Sequence, residues 1–567
     1  MKNYQDGGEA ILEAFRNMGI DYVMASPGSE WGALWEAFAR QQVDKTPGPT
    51  YLSCAHETLA VDLALGYTQF TGKMQACMLH TGVGLLQGSV GIDAAQRANI
   101  PMVVISGESL SYGEKQGFDP GPQWLTSLSV VGGTHRLVEP IVKWSQQISS
   151  PHTLYEQLTR AGEMAQRTPS GPTYVCVPIE TMLADWARPD TLRKTPPVPK
   201  LQAADSDIER AASILASAKN PMIVTEDVGR DPAAYAAFRK LVDTLQIPVM
   251  EGQWANYANL AKDHPMHQGV AAPARMQDAD VVLVVRARAP WYPPSSRPAK
   301  ATVIVIDEAP YRLSMVYQSI QADMSLEGDV ASSLTLLLEA VQGAVKNGAA
   351  KERGAKWAAA HKKLWDEYTA AQTAAAKKTS PMDPITLCKT LSDTLPHDTI
   401  YVDETIVHKG TILRHLNNQG PQSYFRVQGG LGQGLGVSLG HKIANPKRPV
   451  VTVIGDGSFM YNPVAQSLAL GKHEELPTMT VIFNNSGYQA MRKEHEAYYP
   501  DGVAAAHKIF YGEPVTDFEY SELAKPFGGY GKRVETQAAL KTALKEGMAA
   551  VNDGKTAVIN AMIEKPA

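Results

Sequence analysis

Val450-Val451-Thr452-Val453-Ile454-Gly455-Asp456-Gly457-Ser458 is an apolar, β-branched run that stops on a polar turn flanked by glycines. Thr478-Met479-Thr480-Val481-Ile482-Phe483, followed by Asn484-Asn485, repeats that plan further along the chain. Runs this uniformly apolar suit strands buried on both faces, as in a parallel sheet covered by helices. In such sheets ligands gather at the carboxyl ends of the strands, so both turns are expected to face one crevice. Gly455 and Gly457 let the backbone approach a phosphate, and the helix expected after Ser458 would point its N-terminus at it. Asp456, the Asn485 amide oxygen and a backbone carbonyl near Gly487 offer the hard oxygen ligands that octahedral Mg2+ prefers. Taken singly, Gly-Asp-Gly and Asn-Asn are ordinary turn formers. The strand context and the pairing of the two turns favour the phosphate-and-metal reading.

The same alternation of strand and helix extends toward the N-terminus. Ile11, Leu12 and Phe15 have helical spacing, Gly19 closes that helix, and Tyr22-Val23-Met24-Ala25 reads as a strand. Met74 to Leu79 and Met102 to Ile105 read as further strands, so one α/β domain is expected over 1–190. Thr195-Pro196-Pro197-Val198-Pro199 reads as an extended linker. A second α/β domain over 200–345 follows from the runs at Pro221–Val224, Pro248–Met250, Val281–Val285 and Thr302–Ile306. Residues 346–380, rich in Ala, Lys and Glu, read as a solvated helix or linker, and a third α/β domain fills 381–567. The fold class expected is three consecutive doubly wound parallel-sheet domains, with no internal repeat legible by sequence identity.

Composition sets the outer limits. The 567 residues carry 53 Lys plus Arg against 58 Asp plus Glu, a formal charge of −5. That balance lacks the basic footprint of a nucleic-acid or anionic-membrane binder. Hydrophobic content of 44% and charged content of 20% are those of a globular chain and exclude intrinsic disorder. The N-terminus has no signal-peptide core, and no apolar run is long enough to span a bilayer. The four cysteines, Cys54, Cys77, Cys176 and Cys388, form no Cys-x-x-Cys pair, so neither a disulfide scaffold nor a zinc site is expected. A cytoplasmic enzyme is the expectation.

The Gly-Asp-Gly-Ser and Asn-Asn pair resembles the cofactor signature of the thiamine diphosphate enzymes, and further pieces fall in that family's order along nearly the whole chain. Gly429-Gly430-Leu431-Gly432-Gln433-Gly434 is similar to the family's glycine-rich stretch. The resemblance gives Leu431 the part of the apolar residue that bends the cofactor. Asp403-Glu404-Thr405-Ile406 is similar to the second diphosphate-binding loop, and His56-Glu57 to the pair whose acid bonds the aminopyrimidine ring. Read without the resemblance, an acid such as Glu57 at a helix start is simply favoured by the helix dipole. The resemblance implies thiamine diphosphate held with Mg2+ by Thr405, Ile406, Gly430, Leu431, Gly455, Asp456, Gly457, Ser458, Asn485 and Tyr488. Asp456, Asn485 and Gly487 are the implied metal ligands.

Pro27-Gly28-Ser29, Leu79-His80, Val142-Lys143-Trp144-Ser145, Asp263-His264-Pro265 and Tyr488-Gln489-Ala490-Met491-Arg492 resemble the benzoylformate decarboxylase branch. That resemblance implies that Ser29 holds the substrate carboxylate, while His80 and His264 carry protons alongside the acid Glu57. Asp-His-Pro also reads as a structural turn, which leaves His264 with two readings. The adjacent His-His pair of pyruvate decarboxylases is missing near Ser111-Tyr112. Lys493-Glu494-His495-Glu496, where the branch has aromatic pocket residues, is charged, and Tyr498, Tyr499, His507 and Tyr511 follow. Such a run is most often an exposed helix. If it lines the pocket, it points to a polar substrate rather than an aryl one.

The function expected is a 2-oxo acid decarboxylase, a carbon–carbon lyase releasing an aldehyde. An acetolactate synthase-like carboligase, or a lyase acting on a polar 2-hydroxy or 2-oxo substrate, is the alternative. Because the acid lies in the first domain and the diphosphate site in the third, the resemblance implies a homodimer at least and a homotetramer in full. In some relatives the central domain holds FAD or ADP, but no motif here supports either.

Overall fold

The computed structural model describes residues 5–109, 123–193, 195–342, 347–417, 420–516 and 518–565, so the position near Ser111-Tyr112 lies outside it. Every strand anticipated above forms, and the strands assemble into three six-stranded parallel sheets. The first contains β1 (Tyr22–Ser26), β2 (Thr50–Ser53), β3 (Gln75–Leu79), β4 (Met102–Glu108), β5 (Trp144–Gln147) and β6 (Pro172–Pro178), ordered β2-β1-β3-β4-β6-β5. The second contains β7 (Pro221–Thr225), β8 (Val249–Glu251), β9 (His267–Val270), β10 (Val281–Val285), β11 (Thr302–Asp307) and β12 (Met324–Glu327). Its order, β12-β11-β10-β7-β8-β9, is that of the dinucleotide-binding doubly wound fold. The third contains β13 (Ile400–Glu404), β14 (Tyr424–Arg426), β15 (Val450–Gly455), β16 (Met479–Asn484), β17 (Tyr530–Val534) and β18 (Ala557–Met562). Its order, β14-β13-β15-β16-β18-β17, repeats that of the first sheet strand for strand.

The apolar runs form strands because the interiors of these sheets have no water to offer. Every residue of β3, β4, β6, β10 and β16 is buried. Each fully buried aliphatic side chain contributes roughly 1.5–3 kcal/mol relative to exposure. The Ala-, Lys- and Glu-rich segment forms one 29-residue helix, Asn347–Ala375, most of whose described face is solvated. Among the described residues, no helix is long and apolar enough to cross a membrane.

The chain packs as two compact units. One comprises residues 1–199 with 428–445 and 462–470, and the other 200–427 with 446–461 and 471–567. In the first unit the helices Glu57–Thr71 and Gly434–Ala444 lie backbone to backbone. A Cβ on Gly66 would overlap the Val437 carbonyl, and one on Gly440 the Leu63 carbonyl.

Candidate active site

The first sheet places three polar side chains at or near the carboxyl ends of β1 and β3. β1 leads through Pro27-Gly28 into a turn carrying Ser29 and Glu30, and β3 leads directly into His80. The His80 N–H still donates to Ser26 O at 3.1 Å, and Trp31 Nε1 donates to Leu79 O at 2.9 Å, so the two strand ends are tied together. His80 Nδ1 lies 2.9 and 3.0 Å from the two carboxylate oxygens of Glu30, which is 1% exposed. A side chain on Gly28 would overlap both partners, which is why glycine precedes Ser29. The hydrogen bond to Glu30 raises the His80 pKa against the opposing effect of burial, and the charges of Glu30 and Glu57 add to the rise. With Nδ1 held by a carboxylate, Nε2 is the ring nitrogen left to deliver a proton.

Glu57 is the first residue of the helix capped by His56, whose Nδ1 accepts the Thr58 N–H at 3.2 Å. Gly84 separates Glu57 from His80: a Cβ there would stand 3.0 Å from Glu57 Oε1 and 2.8 Å from His80 Cβ. Ser29 is exposed, and its Oγ accepts from Gln123 Nε2 at 3.0 Å. In the same unit Gly429 and Gly432, with φ of +98° and +102°, carry the half-buried Leu431 into the helix that follows, and Gly430 abuts Val90.

The third sheet holds the residues that the sequence reading assigned to phosphate and metal. Asp456, 3% exposed, accepts the Gly457 N–H on Oδ1 at 2.9 Å and the Gly487 N–H on Oδ2 at 3.0 Å. One carboxylate therefore joins the turns after β15 and β16, bringing together the two motifs that opened the sequence reading. Burial raises its pKa, and a bound cation would reverse that. Asn485 Nδ2 lies 3.1 Å from His408 Nε2. The His408 pKa is lowered to about 4 by burial, so its ring is neutral and Nε2 accepts. That bond fixes the amide, and Asn485 Oδ1 is left buried with no hydrogen-bond partner. An orphaned amide oxygen beside a buried carboxylate fits a hard divalent cation, with the Gly487 carbonyl as a third oxygen. Among the described residues no group of three or more His, Cys, Asp or Glu could hold a metal.

One detail differs from the sequence reading. The helix after β15 starts at Asp456 rather than after Ser458, and it runs only to Tyr461. Its dipole is short, so the weight of the site rests on Asp456 and Asn485. The Tyr488 ring overlies Gly457, where a Cβ would overlap it, and Ser458 is buried. On the loop after β13, Thr405 N donates to Asp403 Oδ1 at 2.8 Å, Thr405 Oγ1 is buried without a partner, and Ile406 is 45% exposed.

His264 does not offer a free nitrogen. Nε2 is bonded to Asp243 Oδ1 at 2.7 Å and Nδ1 accepts the Met266 N–H at 3.1 Å. The ring pins the turn before β9, and a proton shuttle would need one nitrogen released, so the turn reading replaces the catalytic one. At the carboxyl ends of the second sheet, Arg230 and Arg286 pair with Glu308, Arg312 with Asp307, and Arg288 with Glu226. Arg286 Nη1 and Arg312 Nη1 nevertheless stay buried without a hydrogen-bond partner. The segment from Lys493 lies on the helix Gln489–Tyr498, where Arg492 pairs with Glu496 and Tyr498 is 72% exposed.

Glu30, Gln123 and His408 escaped the sequence reading. Glu30 adjoins Ser29, so its proximity was available, but its pairing with His80 is a contact between strands. His408 and Gln123 carry no local signal, because each is defined by a partner 77 and 94 residues away.

Three models of thiamine pyrophosphate enzymes match, the N-terminal binding domain over residues 5–125, the central domain over 208–337 and the C-terminal binding domain over 407–561. The chain is 26% identical to the sulfoacetaldehyde acetyltransferase of Rhodobacter capsulatus, covering 98% of this chain and 94% of that one. It is 24% identical to the benzoylformate decarboxylase of Pseudomonas aeruginosa, covering 95% and 96%. The solved benzoylformate decarboxylase of Polynucleobacter necessarius shares the fold at a TM-score of 0.80 with 20% identity, covering 99% of both chains.

Proposed function

The chain belongs to the thiamine diphosphate-dependent decarboxylase/carboligase superfamily, and on that footing we propose that it decarboxylates a 2-oxo acid with release of an aldehyde. The observation that carries the lyase reading is the His80–Glu30 pair beside Ser29. A decarboxylase must return a proton to the carbon that loses CO2, whereas a carboligase must keep that carbon available for a second carbonyl.

Thiamine diphosphate, when bound, supplies the nucleophilic carbon that adds to the substrate carbonyl and accommodates the electrons left by CO2. Asp456, Asn485 Oδ1 and the Gly487 carbonyl would hold Mg2+ against its diphosphate, with the loop at Thr405 and Ile406 alongside. Glu57 would hold a proton at the pyrimidine nitrogen, and Leu431 would wall the ring system. Ser29 Oγ, steadied by Gln123, binds the departing carboxylate. Glu30 orients His80 and favours its protonated form, and His80 Nε2 gives its proton to the former carbonyl carbon. The helix Gly82–Ala98 exposes Val83, Leu86 and Val90 at 43%, 57% and 44% on one stripe, which supports a homodimer as the working form.

Replacing His80 with Ala tests the reading. Aldehyde release should fall roughly 10²–10⁴-fold, the usual share of a positioned acid, while carboligation of the same substrate falls less. Unchanged aldehyde release would make His80 a wall residue and favour the carboligase.

A further inference from the structure

The first unit holds a recess that this chemistry does not use. It is a cavity of about 540 Å³ with Glu108 at the end of β4, Gln147 at the end of β5, and Trp124, Ser129, Val131 and His135 among its walls. Three atoms in it, Ser129 Oγ, His135 Nδ1 and Gln147 Oε1, are buried with no hydrogen-bond partner. An unmet buried polar atom is costly, so three in one recess call for something that meets them. His135 and Gln147 converge on Gly133. A Cβ there would stand 2.5 Å from His135 Nδ1 and 2.7 Å from Gln147 Oε1, yet neither atom has a bonding partner. Gly133 has φ +94°, a conformation that excludes other residues and keeps this corner clear.

The chemistry of the recess has a definite sense. Glu108, 2% exposed, accepts from Ser109 N at 2.7 Å, Thr134 Oγ1 at 2.9 Å and Val130 N at 3.3 Å. Among the described lining residues none is Lys or Arg. The Glu108 carboxylate and the Gln147 amide oxygen are acceptors only, and the Ser129 hydroxyl and the His135 ring can accept as well. The complement of such a surface is a group rich in N–H or O–H donors.

A hydrogen-bonded chain of side chains links the wall of the recess to the substrate anchor. Gln123, which donates to Ser29 Oγ at 3.0 Å, accepts from Ser109 Oγ at 3.5 Å, and its neighbour Trp124 is part of the wall. We propose that this recess receives the end of the substrate distal to the reacting carbonyl and selects 2-oxo acids whose tail carries hydroxyl or guanidinium donors. The inference rests on Ser29 being the carboxylate anchor of the function proposed above.

CO2 release from 2-oxopentanoate, 5-hydroxy-2-oxopentanoate, 5-guanidino-2-oxopentanoate and phenylglyoxylate, with thiamine diphosphate and Mg2+ present, tests it. The expected result is a kcat/KM roughly 10- to 100-fold higher for a donor-bearing acid than for 2-oxopentanoate or phenylglyoxylate. Gln147→Leu should bring that ratio toward one, and Gln147→Glu, which keeps an acceptor, should preserve most of it. The wild-type ratio needs no variant, so a misfolded mutant does not decide the matter. Turnover of all four acids without a donor preference overturns this inference and leaves the decarboxylase standing. Failure to release CO2 from any 2-oxo acid overturns both.

Discussion

Glu30→Gln is the substitution whose outcome follows most directly from the geometry. Gln has the shape of Glu and can still bond His80 Nδ1, so the fold and the ring position should survive. What disappears is the charge on a side chain that is itself fully buried and touches a ring only 22% exposed. A charge-assisted hydrogen bond contributes about 1.5–3 kcal/mol, close to twice a neutral one. Its sign is fixed by the direction of the shift. Glu30 raises the His80 pKa, so the wild-type ring stays protonated to higher pH than a free imidazole, and activity falls only as pH rises through that raised value. In Glu30→Gln the alkaline limb of kcat should move to lower pH. Above it, aldehyde release should drop roughly 3- to 10-fold, the equivalent of the half of that energy which the neutral bond no longer supplies. At acid pH, where both forms are protonated, the two enzymes should converge. The assay is a kcat–pH profile, with His80 ring ¹⁵N shifts as an independent reading of its protonation. Superimposable profiles and shifts would refute the coupling.

Other outcomes follow from the same contacts. Asp456→Ala removes the carboxylate that joins the two turns, and calorimetric titration should show Mg2+-dependent binding of thiamine diphosphate severely weakened. His408→Phe frees the Asn485 amide to rotate, and the Mg2+ concentration needed for half-maximal cofactor binding should rise about tenfold, the lower end for a lost ligand-orienting partner. Glu57→Gln should slow deuterium exchange at C2 of the bound cofactor with little change in its affinity; wild-type exchange would remove Glu57 from the account. His264→Ala loses two hydrogen bonds in the turn before β9, and thermal unfolding should show about 1–2 kcal/mol of lost stability.

The fold was legible where strands are buried on both faces. Val281–Val285 and Met479–Phe483 announce themselves because no water-facing residue interrupts them. β2 and β5 did not, because Thr50–Ser53 and Trp144–Gln147 are short edge strands with partly exposed residues. The shared order of the first and third sheets left no trace in sequence identity, since topology constrains burial pattern rather than residue type. It nonetheless aligns the sites: His80 follows β3 as Asp456 follows β15, each after the third strand of its sheet. Asp456 and Asn485 were readable from turns on strand ends. Glu30 was hidden in plain view beside Ser29, because a motif names residues and not their partners. His264 misled for the converse reason: Asp-His-Pro describes a turn equally well, and only the Asp243 and Met266 contacts decide between the readings.

The central claim is decarboxylation with proton return. Its most direct test is product analysis by NMR after incubating the protein, thiamine diphosphate and Mg2+ with donor-bearing 2-oxo acids labelled with ¹³C at C1 and C2. The account predicts C1 in CO2 or bicarbonate and C2 in a free aldehyde, with both signals lost when cofactor or metal is withheld. C2 appearing chiefly in a new carbon–carbon bond, even without added acceptor, would contradict it.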